Sequence, residues 1–186
     1  TDPKMHELYA EFEQQLPGRF FVESIDIPFN FSTINNRAAK KAHGEYLLFL
    51  NNDTEVITEN WLTLMVSFAQ QERIGCVGAK LLYPNNTVQH AGVILGLGGV
   101  AGHGHYGYPH GDLGYFGRLA INVNYSAVTA ACLLMKKADF DAVGGFEEAF
   151  TVAFNDVDLC LKVQALGRDN VWLHEAELYH FESQTR

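Results

Sequence analysis

The sequence predicts an α/β protein with a doubly wound sheet, and three observations predict it. Apolar runs of strand length alternate with segments of helical periodicity, in the order α-β-α-β-α-β over the first half of the chain. The run Tyr46-Leu47-Leu48-Phe49-Leu50 is apolar and free of charge, as in a strand buried on both faces of a parallel sheet. It stops at Asn51-Asn52-Asp53-Thr54, and open α/β sheets bind ligands just past the carboxyl ends of such strands. A hard oxygen donor at Asp53 suits a divalent cation, and a cation there suits a phosphate.

Taken in order, Asp2-Pro3 reads as a helix start, with Leu8, Phe12 and Leu16 on one face and Pro17-Gly18 as the stop. Phe20 to Ile25 reads as a strand. Ser32 or Thr33 caps a helix to about Ala42, with Gly44 as its stop, before the strand that ends at Leu50. Thr58 caps the next helix, which carries Trp61, Leu62, Met65, Val66 and Ala69 on one side. Ile74 to Tyr83 is a strand, Pro84-Asn85-Asn86 a turn, and Val88 to Leu95 strand-like.

Residues 96–118 interleave glycine with His103, His105, Tyr106, Tyr108 and His110, a density that holds neither helix nor strand. This segment reads as a long loop, either a sugar-stacking or partner-binding lid or simply a solvated loop. Ala127 to Met135 returns to the core as a strand. Lys136 to Ala142 is a short helix ended by Gly144-Gly145. A last helix begins at Phe154-Asn155-Asp156-Val157-Asp158 and ends near Leu166. Short strands at Val171–Leu173 and Ala176–Tyr179 lead to His180.

The 186 residues fit one domain, 1–186, and a 47% hydrophobic composition supplies a core. Lys plus Arg is 13 against 22 Asp plus Glu, a formal charge of −9, which excludes a general nucleic-acid binder. A nucleotide ligand stays compatible, because a metal supplies local positive charge. Cys76, Cys132 and Cys160 stand far apart in apolar settings and read as reduced, buried thiols. Without a signal peptide or a bilayer-spanning run, the expected location is cytoplasmic, with peripheral attachment at the inner face of the membrane as the extension.

Several residue groups point to chemistry. Asp156 and Asp158 fall in the first helical turn, where the dipole alone accounts for carboxylates. The functional reading is a general base aimed into the cleft, and two residues apart only one of the pair faces it. His180 is either a lone structural histidine or a metal ligand with Asp53. Gly102-His103-Gly104-His105 looks like part of a zinc site but has no matching pair, and His90 is undecided. Asn35-Asn36-Arg37 opens a helix and suits either a phosphate or ordinary capping. No Walker loop and no GxGxxG before a helix is present.

Together these segments resemble the inverting nucleotide-sugar glycosyltransferases of family 2, which have the GT-A fold. The matching pieces keep their order: Asn36, the run from Ala42 to Asp53, Trp61-Leu62, Val77 to Pro84, Gln89-His90-Ala91-Gly92, Thr129 to Leu134, Val143-Gly144-Gly145-Phe146, Asp156 to Lys162, and His180 with Ser183. The likeness is greatest to the bacterial branch of rhamnosyltransferase-like, cell-surface polysaccharide enzymes. It implies a mixed, mostly parallel sheet flanked by helices. It also implies that the family's first β-α-β precedes residue 1, so that the fold is amino-terminally truncated.

The resemblance further implies Mg²⁺ or Mn²⁺ on Asp53 with His180 as a further ligand, and Asp156 as the catalytic base. Asn36, Asn51 and Asn52 would contact the nucleotide sugar, and Thr129, Ala130 and Asp158 the acceptor side. The implied partners are a nucleotide-diphosphate sugar donor and a saccharide or lipid-linked acceptor, with a homodimer through an exposed sheet edge. Three positions depart from the family pattern: Asn51 stands for an aspartate, Asn155 for a glutamate and Asn35 for an arginine. Two further readings stay open, a non-catalytic sugar- or partner-binding relative and a nucleotidyltransferase.

Overall fold

A computed structural model describes residues 3–182. Asp2 and Ser183 lie outside the described residues. Helices α1 (Pro3–Gln15) and α2 (Phe31–Lys41) precede strands β1 (Tyr46–Leu50) and β2 (Thr54–Val56). Helix α3 (Trp61–Ala69) leads into β3 (Ile74–Leu82), β4 (Val88–His90), β5 (Val93–Leu95), β6 (Ala101–His103) and β7 (Val123–Tyr125). Then come β8 (Cys132–Lys136), α4 (Lys137–Ala142), α5 (Asn155–Ala165) and β9 (Asp169–His180).

The α/β class holds, but the sheet is not mostly parallel. Its order is β1-β8-β3-β9-β2, with β4 also on β3 and β7 also on β9. Only β3 and β9 pair in parallel; every other described pair is antiparallel. The long, fully buried strand is β3, where all nine residues are buried, and the three residues of β4 beside it are buried too. β1 instead alternates, with Leu47 and Phe49 buried and Leu50 exposed, because it lies at an edge against antiparallel β8. An uncharged run therefore marked the sheet correctly but misplaced the central strand.

Two apolar layers sandwich the sheet. On one face Phe146 packs edge to face on Phe49 and Phe140, which are tilted on each other, with centroids 4.9–5.6 Å apart, together with Leu159, Val163 and Trp172. On the other, Met65 and Ala69 of α3 cover Val77, Leu81, Leu134 and Leu173. Strand alternation does the sorting: Leu133 and Met135 face the first layer, Cys132 and Leu134 the second. Gly75 lets α5 approach, since a Cβ there would lie 2.3 Å from Val163 Cγ1. Cys76, Cys132 and Cys160 are buried and unpaired. No described helix is long and apolar enough to cross a membrane.

Local expectations fail where distant partners intervene. Phe20 to Ile25 is not a strand; no described strand pairs with it, and Phe21 is exposed. Asn30, not Ser32 or Thr33, caps α2, accepting the Thr33 N–H at 3.0 Å, while Ser32 Oγ donates to the Phe150 carbonyl. Helix α2 ends at Lys41, ahead of Gly44. Asn60 precedes α3, and Thr58 spends its hydroxyl on the Glu175 carbonyl. Ala127 to Ala131 is buried loop, and the strand starts only at Cys132. The last two strands are one, β9, bulged at His174-Glu175-Ala176 where Ala79↔Leu173 gives way to Lys80↔Glu177.

Residues 96–118 are partly regular. β5 and β6 form a hairpin around a 3₁₀ turn at Leu97–Gly99, and a second 3₁₀ turn follows at Tyr115–Gly117. A buried ionic knot ties the segment to the sheet: Glu177 Oε1 accepts from Lys80 Nζ and pairs with His110 Nε2, both at 2.9 Å. Burial alone would raise the Glu177 carboxyl, but the hydrogen bonds from Lys80 and His110 outweigh it and lower it. Its stabilisation is therefore present above the unfolded carboxyl range and lost as pH falls through the depressed folded value. Glu177→Ala strands the buried Lys80 ammonium and should cost about 3 kcal/mol by chemical denaturation at neutral pH. The gap between variant and wild type should close on acidification; a loss within about 0.5 kcal/mol at neutral pH would contradict the knot.

Candidate active site

An open cleft of about 650 Å³ lies where β1, β4, β6, β9 and the start of α5 converge. The apolar strand β1 runs out at Leu50, and Asn51 N–H donates to the Ala131 carbonyl at 2.9 Å, pinning this end beside the Thr129–Ala131 loop. Thr54 Oγ1 closes the turn on the Asn51 carbonyl, and Phe181 N–H donates to the Asp53 carbonyl. That last bond sets Asp53 beside the end of β9.

Asp53 Oδ1 lies 3.2 Å from His180 Nε2, and Asn51 Nδ2 lies 3.1 Å from the same nitrogen. The other ring nitrogen, Nδ1, faces Gln89 Oε1 at 2.7 Å. Gln89 Nε2 donates to the His180 carbonyl and to Glu182 Oε2, both at 3.4 Å, so its oxygen must face the ring. His180 thus carries a proton on Nδ1, and Nε2 is the ring nitrogen that faces Asp53 and Asn51. Gln89 reaches this ring from a β-bulge: Leu81 pairs with His90 but Leu82 with Val88, leaving Gln89 as the extra residue.

Elsewhere on the cleft lining, Phe154 turns the chain into α5 with a left-handed φ of 64°. Asp156 Oδ2 accepts the Ala130 N–H at 3.1 Å and Oδ1 the Val157 N–H at 2.9 Å, which fixes the carboxylate in the cleft wall. Asp158 turns away and pairs with Lys162 at 2.7 Å, outside the lining. Asn155 Oδ1 accepts the Asp156 N–H, while its buried Nδ2 has no partner among the described residues.

The structure brings Asp53, His180, Asn51, Asn52, Asp156, Thr129 and Ala130 to one cleft. It does not bring Asn36, whose Nδ2 donates to the Phe146 carbonyl and whose Oδ1 accepts the Phe146 N–H, both at 2.9 Å. Gly145, at φ 75°, permits this clamp, since a Cβ there would lie 2.6 Å from Asn36 Oδ1. Its neighbour Asn35 lines the cleft instead. The zinc-like pair also separates: His103 meets His90, while His105 Nε2 accepts the Tyr115 N–H. Gln89 and Glu182 are lining residues that carried no assigned role in the sequence, and His103 joins the lining beside His90 rather than as half of a zinc site; a glutamine beside His90 was the available signal.

The lining includes Asp53, Asp156 and Glu182 and, among the described residues, no Lys or Arg. Burial, then the rings of His103 and His180, pushes His90 well below the ordinary histidine range, so it adds no charge. No third His, Cys, Asp or Glu joins Asp53 and His180 among the described residues.

The sequence profile of glycosyl transferase family 2 matches residues 4–143. The chain belongs to glycosyltransferase family 2. A 44% identical relative over 181 residues is the O-antigen biosynthesis protein RfbC of Myxococcus xanthus, covering 97% of this chain and 14% of that protein. An uncharacterized protein of Sinorhizobium fredii, y4gI, is 58% identical over 160 residues, 86% of this chain and 18% of its own length. The family 2 chain thus spans less than a fifth of the curated relatives it matches.

Among solved structures, GalNAc-T7 with UDP, GalNAc and Mn²⁺ superposes with a TM-score of 0.76 at 14% identity, over 97% of this chain and 35% of that one. The mannosyltransferase PcManGT of Pyrobaculum calidifontis with GDP-Man and Mn²⁺ gives 0.68 at 11% identity, over 99% and 46%. These likenesses establish the GT-A fold.

The Asn36 clamp yields a prediction. Asn36→Ala leaves the buried Phe146 backbone groups unpaired and should cost about 1–3 kcal/mol of stability. Asn35→Ala should leave stability within about 0.5 kcal/mol. Chemical denaturation of both variants decides, and the reverse ranking would contradict the clamp.

Proposed function

We propose that this family 2 domain transfers a sugar from a nucleotide-diphosphate donor to a hydroxyl of a saccharide or lipid-linked acceptor, with inversion, in cell-surface polysaccharide synthesis. The observation that carries this reading is that Asp53, paired with His180, and Asp156 line one cleft. Membership of the family and the likeness to RfbC support it.

The donor set fits a divalent cation. One carboxylate oxygen and one imidazole nitrogen stand side by side, and Gln89 holds the imidazole in the ligating tautomer. The mixed O,N set suits Mn²⁺ better than Mg²⁺, which favours all-oxygen sites. When bound, the cation neutralises the diphosphate, a role for which this acidic cleft offers no lysine or arginine. The amides of Asn51 and Asn52 donate to phosphate oxygens.

In the same cleft, Asp156 takes the proton of the acceptor hydroxyl as its oxygen bonds to the anomeric carbon. The bond from that carbon to the diphosphate oxygen breaks in the same displacement, and the nucleoside diphosphate departs with the electron pair. Attack from the face opposite the leaving group inverts the centre. The Ala130 and Val157 N–H groups hold Asp156 in place for this step.

Asp156→Asn keeps an acceptor for one N–H but removes the base. It should lower kcat by about 10²–10⁴ while nucleoside diphosphate binding persists, read by steady-state kinetics and calorimetry with UDP, GDP and dTDP. His180→Ala should abolish the Mn²⁺ dependence of that binding. Full activity in Asp156→Asn would remove the base assignment. Diphosphate binding by wild type that ignores Mn²⁺ would overturn the metal site, and no binding at all would favour the non-catalytic reading.

A further inference from the structure

Two histidine rings meet edge to face at the cleft, and the proposed chemistry uses neither. His90, the last residue of β4, is fully buried; its Nε2 receives the Thr129 N–H at 3.3 Å, and its Nδ1 lies 2.7 Å from His103 Nδ1. A backbone N–H only donates, so His90 Nε2 is an acceptor and the ring proton sits on Nδ1. That proton goes to His103 Nδ1, which is therefore an acceptor too. His103 must then carry its own proton on Nε2. A proton added at His103 Nδ1 would face the His90 N–H across 2.7 Å, so the pair also keeps His103 neutral.

Desolvation by the surrounding cleft walls lowers His103, and the His180 ring adds to it, against the opposing pull of the Asp156 and Glu182 carboxylates. His103 ends β6, is exposed in the lining, and its Nε2–H has no protein acceptor among the described residues. It stands near the base: His90, which it meets, receives the Thr129 N–H, and the next residue, Ala130, donates its N–H to Asp156. A neutral donor set among carboxylates suits a neutral, hydroxyl-rich ligand, whereas a phosphate would meet Asp156 and Glu182. The buried Asn155 Nδ2, next to Asp156, is a second donor lining the cleft without an acceptor among the described residues.

We propose that His103 Nε2–H positions the acceptor saccharide, donating to an oxygen adjacent to the hydroxyl that Asp156 deprotonates, and that His90 fixes the required tautomer. The proposal rests on the glycosyl-transfer reading above. One neutral hydrogen bond of this kind corresponds to about tenfold in affinity.

Long-range ¹H–¹⁵N spectra of the full chain labelled with ¹⁵N-histidine test it first. His103 should show the Nε2–H form, and its resonance should shift on titration with a panel of methyl hexosides and methyl deoxyhexosides. An Nδ1–H form, or no shift with any member of the panel, overturns it. In transfer assays with those glycosides, His103→Ala should raise the acceptor KM about tenfold and His103→Gln, which keeps an N–H donor, should restore it. The calorimetric Kd for nucleoside diphosphate with Mn²⁺ should move less than about twofold, and an equal rise in KM and Kd overturns the acceptor-side role. His90→Asn, which keeps a donor toward His103, should preserve the tautomer that His90→Ala loses. A wild-type chain that binds no nucleoside diphosphate sinks the transfer reading alone; the glycoside titration then decides the saccharide site by itself.

Discussion

β3 pairs in parallel with β9 from Ile74↔Asp169 to Leu82↔Tyr179, and the far end of that pairing builds the cleft. β3 is sealed on both faces, so its register is held by apolar side chains that a slip would expose. Because β9 follows that register, His180 emerges one residue beyond the pair. β2 then pairs antiparallel with the same end, Thr54↔His180, and carries Asp53 next to the ring. β4, on the other edge of β3, delivers Gln89 and His90. A hydrophobic constraint thus fixes the positions of polar groups that attract one another only weakly.

The polar groups divide by wall. One wall sets a carboxylate and an imidazole nitrogen side by side, an arrangement that calls for a cation between ligand and protein. The other holds a carboxylate on two backbone N–H groups, with donors to either side of it. Fixed backbone amides and a buried glutamine supply the orientation, so the chemistry requires little rearrangement of side chains. The described lining carries carboxylates and no lysine or arginine, so under the proposed function a diphosphate would be received with a cation and a saccharide without one.

The sequence made legible whatever depends on local pattern. The end of the apolar run at Asn51-Asn52-Asp53 located one wall, and the carboxylates opening a helix located the other. Choosing between Asp156 and Asp158 needed only helical geometry to show that one turns away, but Lys162 and Ala130 decide which. Asn36 was misread because its partner, Phe146, is 110 residues distant, and no local signal separates a clamp from a ligand-binding amide. The parallel character of the sheet was overestimated for a related reason. Apolar content reports burial, whereas strand direction depends on long-range topology. Gln89 acts through a bulge, and its role became visible only once Leu81↔His90 and Leu82↔Val88 were in register.

The central claim is that Asp53 and His180 Nε2 hold a divalent cation in the ligand-bound cleft. Pulsed electron paramagnetic resonance of Mn²⁺ bound to the ¹⁵N-histidine-labelled chain, with a nucleoside diphosphate present, reads that contact directly. The account predicts hyperfine coupling to one imidazole nitrogen, lost in His180→Gln. Mn²⁺ that shows no nitrogen coupling, or a coupling that survives in His180→Gln, would contradict it.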